Sequence, residues 1–433
     1  MAEPGPPRLT LEEAQHTALE NRALLKAGRF AVEDARQNTL QIEAARYPQL
    51  SANLTAVDAY RETTSQNGKD VTLDSRIAAG GLNNPTILRR ESGGLALSQL
   101  ITDFGRTTSL VESAKFGEAS QEHLYRATSA QVLLEVSDAY FSALEAQAVL
   151  AVANQTIDAR QLLLDKIALL AKSKLRSELD VTFARINLDE AKLLRLKASN
   201  AVDAAFARLS TSLGFRDSRQ YTLLDEFPSI APPDDLERML ARAIRLRPEL
   251  MSIRSELQAA VKFIDATRAL RYPTISAYAA AGVVPHGDDR LPQQYGAIGV
   301  NLSVPILEGG KISALQRQAV LRELAMEERL TETENNIARN VRVALLNAKA
   351  AFENIAISSR LRDGAAQALS LAEARYNLGI TSIVELNQAQ LAAIGGELAQ
   401  SRAKFDYLIS RAVLEYQLGT IDASGGHYNR VDQ

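Results

Sequence analysis

Arg46-Tyr47-Pro48-Gln49-Leu50-Ser51-Ala52-Asn53-Leu54-Thr55-Ala56 is the stretch on which the architecture of this chain turns. Up to Arg46 the apolar residues recur at helical spacing, from residue 9 or 11 onward. Pro48 biases Tyr47 out of helical geometry, so one long opening helix is expected to end there. Past the proline the period becomes two: Leu50, Ala52, Leu54 and Ala56 alternate with Ser51, Asn53 and Thr55. That pattern predicts a strand with one greasy and one polar face.

The same switch occurs a second time. Ala269-Leu270-Arg271-Tyr272-Pro273 repeats Ala44-Ala45-Arg46-Tyr47-Pro48, and residues 11–52 align without a gap to 236–277 with 13 identities in 42 positions. Chance would give about 3. Beyond it, Ile275, Ala277, Ala279 and Ala281 alternate with Thr274, Ser276 and Tyr278. Downstream the offset drops from 225 to 205 and pairs Ser98 with Ser303, Gly105 with Gly310, and Leu213-Gly214 with Leu418-Gly419. The difference is one loop, longer in the first copy. The repeat predicts a first unit at 9–214, a linker at 215–234, a second unit at 235–419 and a tail at 420–433, with strand regions at 48–104 and 273–308.

Each copy reads as helix, strand, strand, long helix, helix. A polar stretch over 61–90 separates the first strand from a second at 94–101. The counterpart stretch is short, 285–292, and precedes a strand at 296–306. Asp103-Phe104-Gly105-Arg106 and Glu308-Gly309-Gly310-Lys311 then turn the chain into helices expected over 107–172 and 312–377, about 100 Å each at 1.5 Å per residue. Partner helices follow at 178–213 and 383–418. Asp-Phe-Gly lacks the other elements of a kinase site, and Gly310-Lys311 lacks those of a phosphate loop, so neither carries chemistry.

Composition narrows the function. With 46% apolar and 23% charged residues and a net charge of −3, the chain is foldable and has no basic face for nucleic acid. It has no cysteine, and its four histidines, at 16, 123, 286 and 427, are scattered, so no thiol or metal chemistry is expected. No cofactor and no catalytic constellation is legible. No run of 18 apolar residues crosses a bilayer as a helix, so a membrane role requires a barrel. The opening Met-Ala-Glu-Pro-Gly-Pro-Pro lacks signal-peptide character, which suggests that any such segment has been removed.

Four strands cannot close alone in lipid without leaving backbone groups unpaired, so the unit is expected to oligomerise. Two copies would reach the smallest closed barrels of about 8 strands; three, giving about 12, suit a wider solute path. The other reading of the strands is a half-buried sheet in a soluble, long-helix periplasmic scaffold.

Taken together, Leu11-Glu12-Glu13-Ala14 with Asn21, both Arg-Tyr-Pro blocks, Asp103-Phe104-Gly105-Arg106, Val304-Pro305-Ile306-Leu307-Glu308-Gly309-Gly310, Tyr376-Asn377-Leu378-Gly379-Ile380-Thr381-Ser382 and Leu418-Gly419 resemble the TolC family of outer-membrane efflux and secretion channels. The resemblance covers nearly the whole chain. It implies an α+β membrane protein: a homotrimer whose outer-membrane β-barrel has about 12 strands, four per chain, continued by a periplasmic α-barrel of about 12 helices. It further implies contact with outer-membrane lipid, a periplasmic adaptor protein and, through it, an inner-membrane pump of the RND or ABC type, with the channel a passive duct.

On that resemblance the two helical tips, 171–180 and 376–385, hold the gate and the adaptor seat. Ser177-Glu178-Leu179-Asp180 and Ser382-Ile383-Val384-Glu385 each read as a capping box, in which the acid reaches back to the serine. The family reading adds that Glu385 forms a cation-attracting ring. Asp180 and Tyr376 match family gate positions, whereas Gln388 stands where relatives have a second acid and Thr381 where they have an Arg. The adaptor seat falls on Lys174, Leu175, Arg176 and Ser177 in one tip and Leu378, Gly379, Ile380 and Ser382 in the other. Lys174 occupies the place of the Gly, so it must avoid positive φ or accept strain.

Overall fold

The computed structural model describes residues 7–58, 65–66, 69–70, 89–225, 230–284 and 293–421. Most of the polar loop expected over 61–90, the loop at 285–292, part of the 215–234 linker and nearly all of the 420–433 tail lie outside the described residues.

In chain order the elements are β1 (Arg8–Leu9), α1 (Leu11–Asn21), α2 (Ala23–Glu43), β2 (Gln49–Asp58), the short β3 (Ser65–Gln66) and β4 (Lys69–Asp70), β5 (Arg89–Thr102), α3 (Arg106–Lys172) and α4 (Glu178–Ser212). The second half runs β6 (Thr222–Leu223), α5 (Leu236–Leu246), α6 (Pro248–Ala269), β7 (Thr274–Val283), β8 (Gln294–Ser303), α7 (Lys311–Asn377) and α8 (Ile383–Gln417). Two compact units emerge, one of residues 34–119 and 255–327, the other of 1–33, 120–254 and 328–433.

The first unit holds the antiparallel sheet β2-β5-β7-β8. Side chains alternate across a strand, so the register assigns the faces. Leu50, Ala52 and Leu54 lie opposite Leu97, Leu95 and Gly93. Leu95 and Leu97 lie opposite Ala281 and Ala279, and Ala279, Ala277 and Ile275 opposite Ile298, Val300 and Leu302. One face is therefore mainly apolar, with Glu91 and Gln294 toward one end and Gln99 and Thr102 toward the other. It is also bare: Leu54 and Ile298 are each 89% exposed. The opposite face carries Gln49, Ser51, Asn53, Thr55, Ser98, Ser276, Asn301 and Ser303. Tyr295 lies beside Gly94 and Gly282 on it: a Cβ at Gly94 would strike the tyrosine hydroxyl and one at Gly282 the ring.

At the foot of β5, both Thr107 N and Thr107 Oγ1 donate to the Asp103 carboxylate, at 2.8 and 2.5 Å, which caps α3. The second strands differ from expectation at their bounds. β5 begins at Arg89, and β8 spans 294–303 because Pro305 biases Val304 and removes a donor.

The second unit is helical. The single opening helix expected over 11–46 is in fact two, broken at Arg22, and its repeat is broken at Arg247; both residues are extended, with ψ near 119° and 118°. In the repeat, Pro248 forces the break. The first copy has no proline there. What the copies share is a backbone approach: a Cβ on Gly214 would fall 2.9 Å from Asn21, and one on Gly419 3.0 Å from Leu246. Each arginine then donates to the end of the apposed helix, Arg22 Nη1 to Thr211 O at 3.0 Å and Arg247 Nη1 to Gln417 O at 3.4 Å. A cation at a helix C-terminus is favoured by the dipole.

β1 and β6 form a parallel pair that the sequence did not announce. Tyr140, wholly buried, holds it. Its hydroxyl lies 2.9 Å from Leu9 O and 3.0 Å from Leu224 O and accepts from Leu224 N at 3.0 Å. Around it Val132, Val136, Phe141, Phe206 and Leu209 form the largest core.

Candidate functional site

The two helical tips were the sequence's candidate site, and both are built on the same local chemistry. In the second, Ile380 N donates to Arg375 O at 2.9 Å and Gly379 N to Tyr376 O at 3.0 Å, with Gly379 at φ 75°. In the first, Leu175 N donates to Leu170 O and Lys174 N to Ala171 O, each at 2.9 Å. Both are Schellman endings, which need a left-handed residue after the helix. Lys174 supplies it at φ 58°, a conformation that costs a non-glycine residue about 1–2 kcal/mol.

The helices leaving the tips are capped differently. Ser177 and Asp180 form a full capping box, Asp180 N donating to Ser177 Oγ at 3.2 Å and Ser177 N to the Asp180 carboxylate at 3.4 Å. Ser382 Oγ accepts from Glu385 N at 3.5 Å, but the Glu385 carboxylate does not return to Ser382. It accepts from Thr381 Oγ1 and pairs with Arg375 Nη1 at 3.0 Å. The expected second capping box is thus half formed, because a guanidinium is a stronger partner for a carboxylate than an amide. Glu385 is partly exposed and Gln388 exposed.

Between the tips, Tyr376 and Arg176 meet. Tyr376 is 3% exposed in a cluster with Ile167, Ala184, Ala372, Ile383 and Leu386. The Arg176 guanidinium sits 4.2 Å over its ring and donates through Nη2 to Tyr376 O. Burial, with the Asp180 charge nearby, pushes the phenol above its usual range, against the opposing effect of Arg176. The hydroxyl itself has no hydrogen-bond partner. Arg176, expected on the docking surface, is turned inward onto Tyr376. Leu175, Leu378 and Ile380 remain 65% exposed or more, and Lys174, Ser177, Gly379 and Ser382 are exposed.

Sequence reasoning missed the polar rungs that join the two hairpins beside these tips. Lys166 Nζ donates to Asn377 Oδ1 at 2.8 Å, Asn187 Nδ2 to Asn387 Oδ1 at 2.7 Å, and Arg160 Nη1 to Gln390 Oε1. Arg160 is 5% exposed, and burial lowers its guanidinium's pKa while Glu190 opposes the shift. A lone polar residue on a long helix gives no signal of such a partner 200 or more positions away. Among the described residues no His, Cys, Asp and Glu cluster could hold a metal ion, and no helix is long and apolar enough to cross a membrane.

A sheet that is mainly apolar on one face, richer in polar residues on the other and open at both edges, in a chain that also forms hairpins of 67- and 35-residue helices, defines a subunit of a membrane barrel with long helical hairpins. The chain matches the family "Outer membrane efflux protein" over residues 14–215 and 239–420, and it belongs to that family. It is an outer-membrane channel protein. It is 27% identical over 428 residues to the alkaline protease secretion protein AprF of Pseudomonas aeruginosa, covering 96% of this chain and 85% of that protein. It is 23% identical over 359 residues to the outer membrane protein TolC of Escherichia coli K12, covering 79% and 71%. The solved structure of the outer membrane protein VceC from Vibrio cholerae superposes with a TM-score of 0.77 at 17% identity, covering 94% of this chain and 96% of that one.

Proposed function

We propose that this chain is one third of a passive duct that carries solutes or polypeptides out of the cell, receiving them from a periplasmic adaptor and an inner-membrane pump of the RND or ABC type. The observation that carries the reading is the sheet. β2 and β8 are its open edges and run in opposite directions, so β8 of one copy meets β2 of the next in the antiparallel sense used throughout. Identical copies therefore close into a ring with no edge left in lipid. Three copies give about 12 strands, wide enough for a solute path, with the apolar face toward outer-membrane lipid and the Ser, Thr and Asn face toward water. Residues 9–214 and 235–419 act as two similar halves, with 215–234 as a strap between them.

The tips carry the gate and the adaptor seat. The exposed turn residues Lys174, Leu175, Ser177, Leu378, Gly379, Ile380 and Ser382 form the seat. Asp180, Tyr376, Thr381, Glu385 and Gln388 line or support the constriction. Arg375 offsets part of the Glu385 charge, so the carboxylate ring attracts cations only weakly. The test is ion selectivity in planar lipid bilayers: Glu385→Gln lowers cation preference by less than about twofold, whereas Arg375→Gln, which frees the carboxylate, raises it. Unchanged selectivity in both variants would assign Glu385 to the turn alone.

A further inference from the structure

We propose that Tyr295 and the paired glycines Gly94 and Gly282 form a socket that fixes the register of β8, and through it the edge that β8 offers to the next copy. The second half of the inference rests on the reading of the sheet as part of a closed ring.

On the polar face one row of the sheet reads Asn53, Gly94, Gly282 and Tyr295, on β2, β5, β7 and β8 in turn. Gly94 is the one glycine of β5 on that face, and Gly282 the one glycine of β7. The Tyr295 side chain reaches inward over both. A Cβ on Gly282 would lie 2.7 Å from its Cε1 and Cζ, and one on Gly94 would meet its hydroxyl. The edge strand is thereby tied across β7 to β5. The backbone keeps the seat clear: a Cβ on Gly282 would also fall 2.5 Å from Gly93 O, and one on Gly94 2.8 Å from Ala281 O.

Little else sets this register. Residues 284–293 connect β7 to β8, too long a link to fix the pairing as a two-residue turn does. A slip by one residue would turn the apolar side chains of β8 to the wet face and is excluded by the alternation. A slip by two keeps every residue on its own face. Ile298, Val300 and Leu302 are each 60% exposed or more and would again lie opposite small or apolar residues of β7, so the apolar face resists such a slip weakly. The polar face resists it strongly. There the slip would bring Tyr295 opposite Ala280, in the row of Ala96, or opposite Val284, where Cβ atoms occupy the seat of the ring. Glycine seats under an aromatic side chain are a recognised means of pinning strands. Since β8 is an open edge, a slip by two would also shift the donors and acceptors it presents to β2 of the next copy by about 7 Å.

Because the chain has no cysteine, introduced pairs read the register within one chain. Ala279→Cys with Ile298→Cys stands directly opposite in the observed register. Ala279→Cys with Val300→Cys, and Ala277→Cys with Ile298→Cys, do so only after a slip by two, one in each direction. Disulfide yields are measured by mass spectrometry on the full-length protein in membranes. Tyr295→Ala raises the ratio of slipped to native cross-link by a factor between about 2 and 30, the range for two lost cross-strand contacts. Tyr295→Phe, which keeps the ring over Gly282 and loses the hydroxyl over Gly94, raises it less. The alanine variant also lowers the yield of assembled rings. If it is not recovered from membranes, Tyr295→Leu, which keeps apolar bulk without the reach, is read in its place. An unchanged ratio, or yields that fall equally for all three pairs, would overturn the socket. A slipped β8 that assembles as well as wild type would overturn its role at the edge. Wild-type protein that forms the native cross-link but no assembled species would overturn the ring reading and the edge role with it, while the register stands on its own cross-links.

Discussion

Replacing Tyr140 with Phe removes one oxygen from the largest core and should loosen the strap that ends the first half of the chain. The hydroxyl has a single proton, so it donates to Leu9 O or Leu224 O, not both, while accepting from Leu224 N; all three distances are 2.9–3.0 Å. Tyr140 is wholly buried, so water does not take over these roles. Phe keeps the ring and its edge-on contact with Phe141, 5.9 Å between centroids, so no cavity beyond one oxygen opens. The loss is then one stranded N–H and one stranded carbonyl, each about 1–3 kcal/mol, or about 2–4 kcal/mol together after partial relaxation. The reporter is the Thr222 amide, which donates to Pro7 O at 2.9 Å in the neighbouring rung. Its hydrogen exchange by mass spectrometry should speed by a factor between about 30 and several hundred. Equal protection of Thr222 in both proteins would refute the reasoning, since the β1/β6 pair would then be held by apolar packing alone.

Two further substitutions probe single positions. Lys174→Gly relieves a left-handed lysine at φ 58° at the expense of a more flexible unfolded chain, a net gain of about 0.5–1 kcal/mol; slower amide exchange over 173–176 is the expected readout, and faster exchange would show that the lysine is unstrained. Glu145 and Asp406 are both raised above the usual carboxylate range, Glu145 by burial and then by Asp406, Asp406 by burial, each against Arg402, whose Nε lies 3.5 Å from Glu145. A carboxylate that holds its proton more tightly folded than unfolded gains stability as pH falls through its raised pKa. Asp406→Asn should therefore raise stability at neutral pH and flatten the dependence just above the normal carboxylate range, as followed by chemical denaturation; an unchanged profile would remove the pair from the pH response.

What was legible in the sequence was whatever repeats locally. Period-two alternation after Tyr47-Pro48 and Tyr272-Pro273 identified both leading strands and their apolar faces, and 67-residue helices were bounded to within a residue by the Gly turns before them and the Ser caps after. The break at Arg247 was available from Pro248 and was overlooked. The break at Arg22 was not available, because Ala23 permits a helix and the close approach of Gly214 that accompanies the break is a contact about 190 positions away. At the tips the same division holds. Ser177-x-x-Asp180 is a local pattern and forms its box. Ser382-x-x-Glu385 is the same pattern, yet Arg375, across the turn, takes the carboxylate. Arg176 on Tyr376, Arg160 on Gln390 and Asn187 on Asn387 depend on two hairpins lying side by side, which no window of sequence contains.

Closure of the sheet depends on the number of copies that share it. Native mass spectrometry of the protein extracted from membranes in detergent should find three 47.1 kDa chains in one particle and no stable smaller species. A monomer that stays soluble without detergent would contradict it, because the bare apolar face of β2, β5, β7 and β8 would then have no lipid to meet.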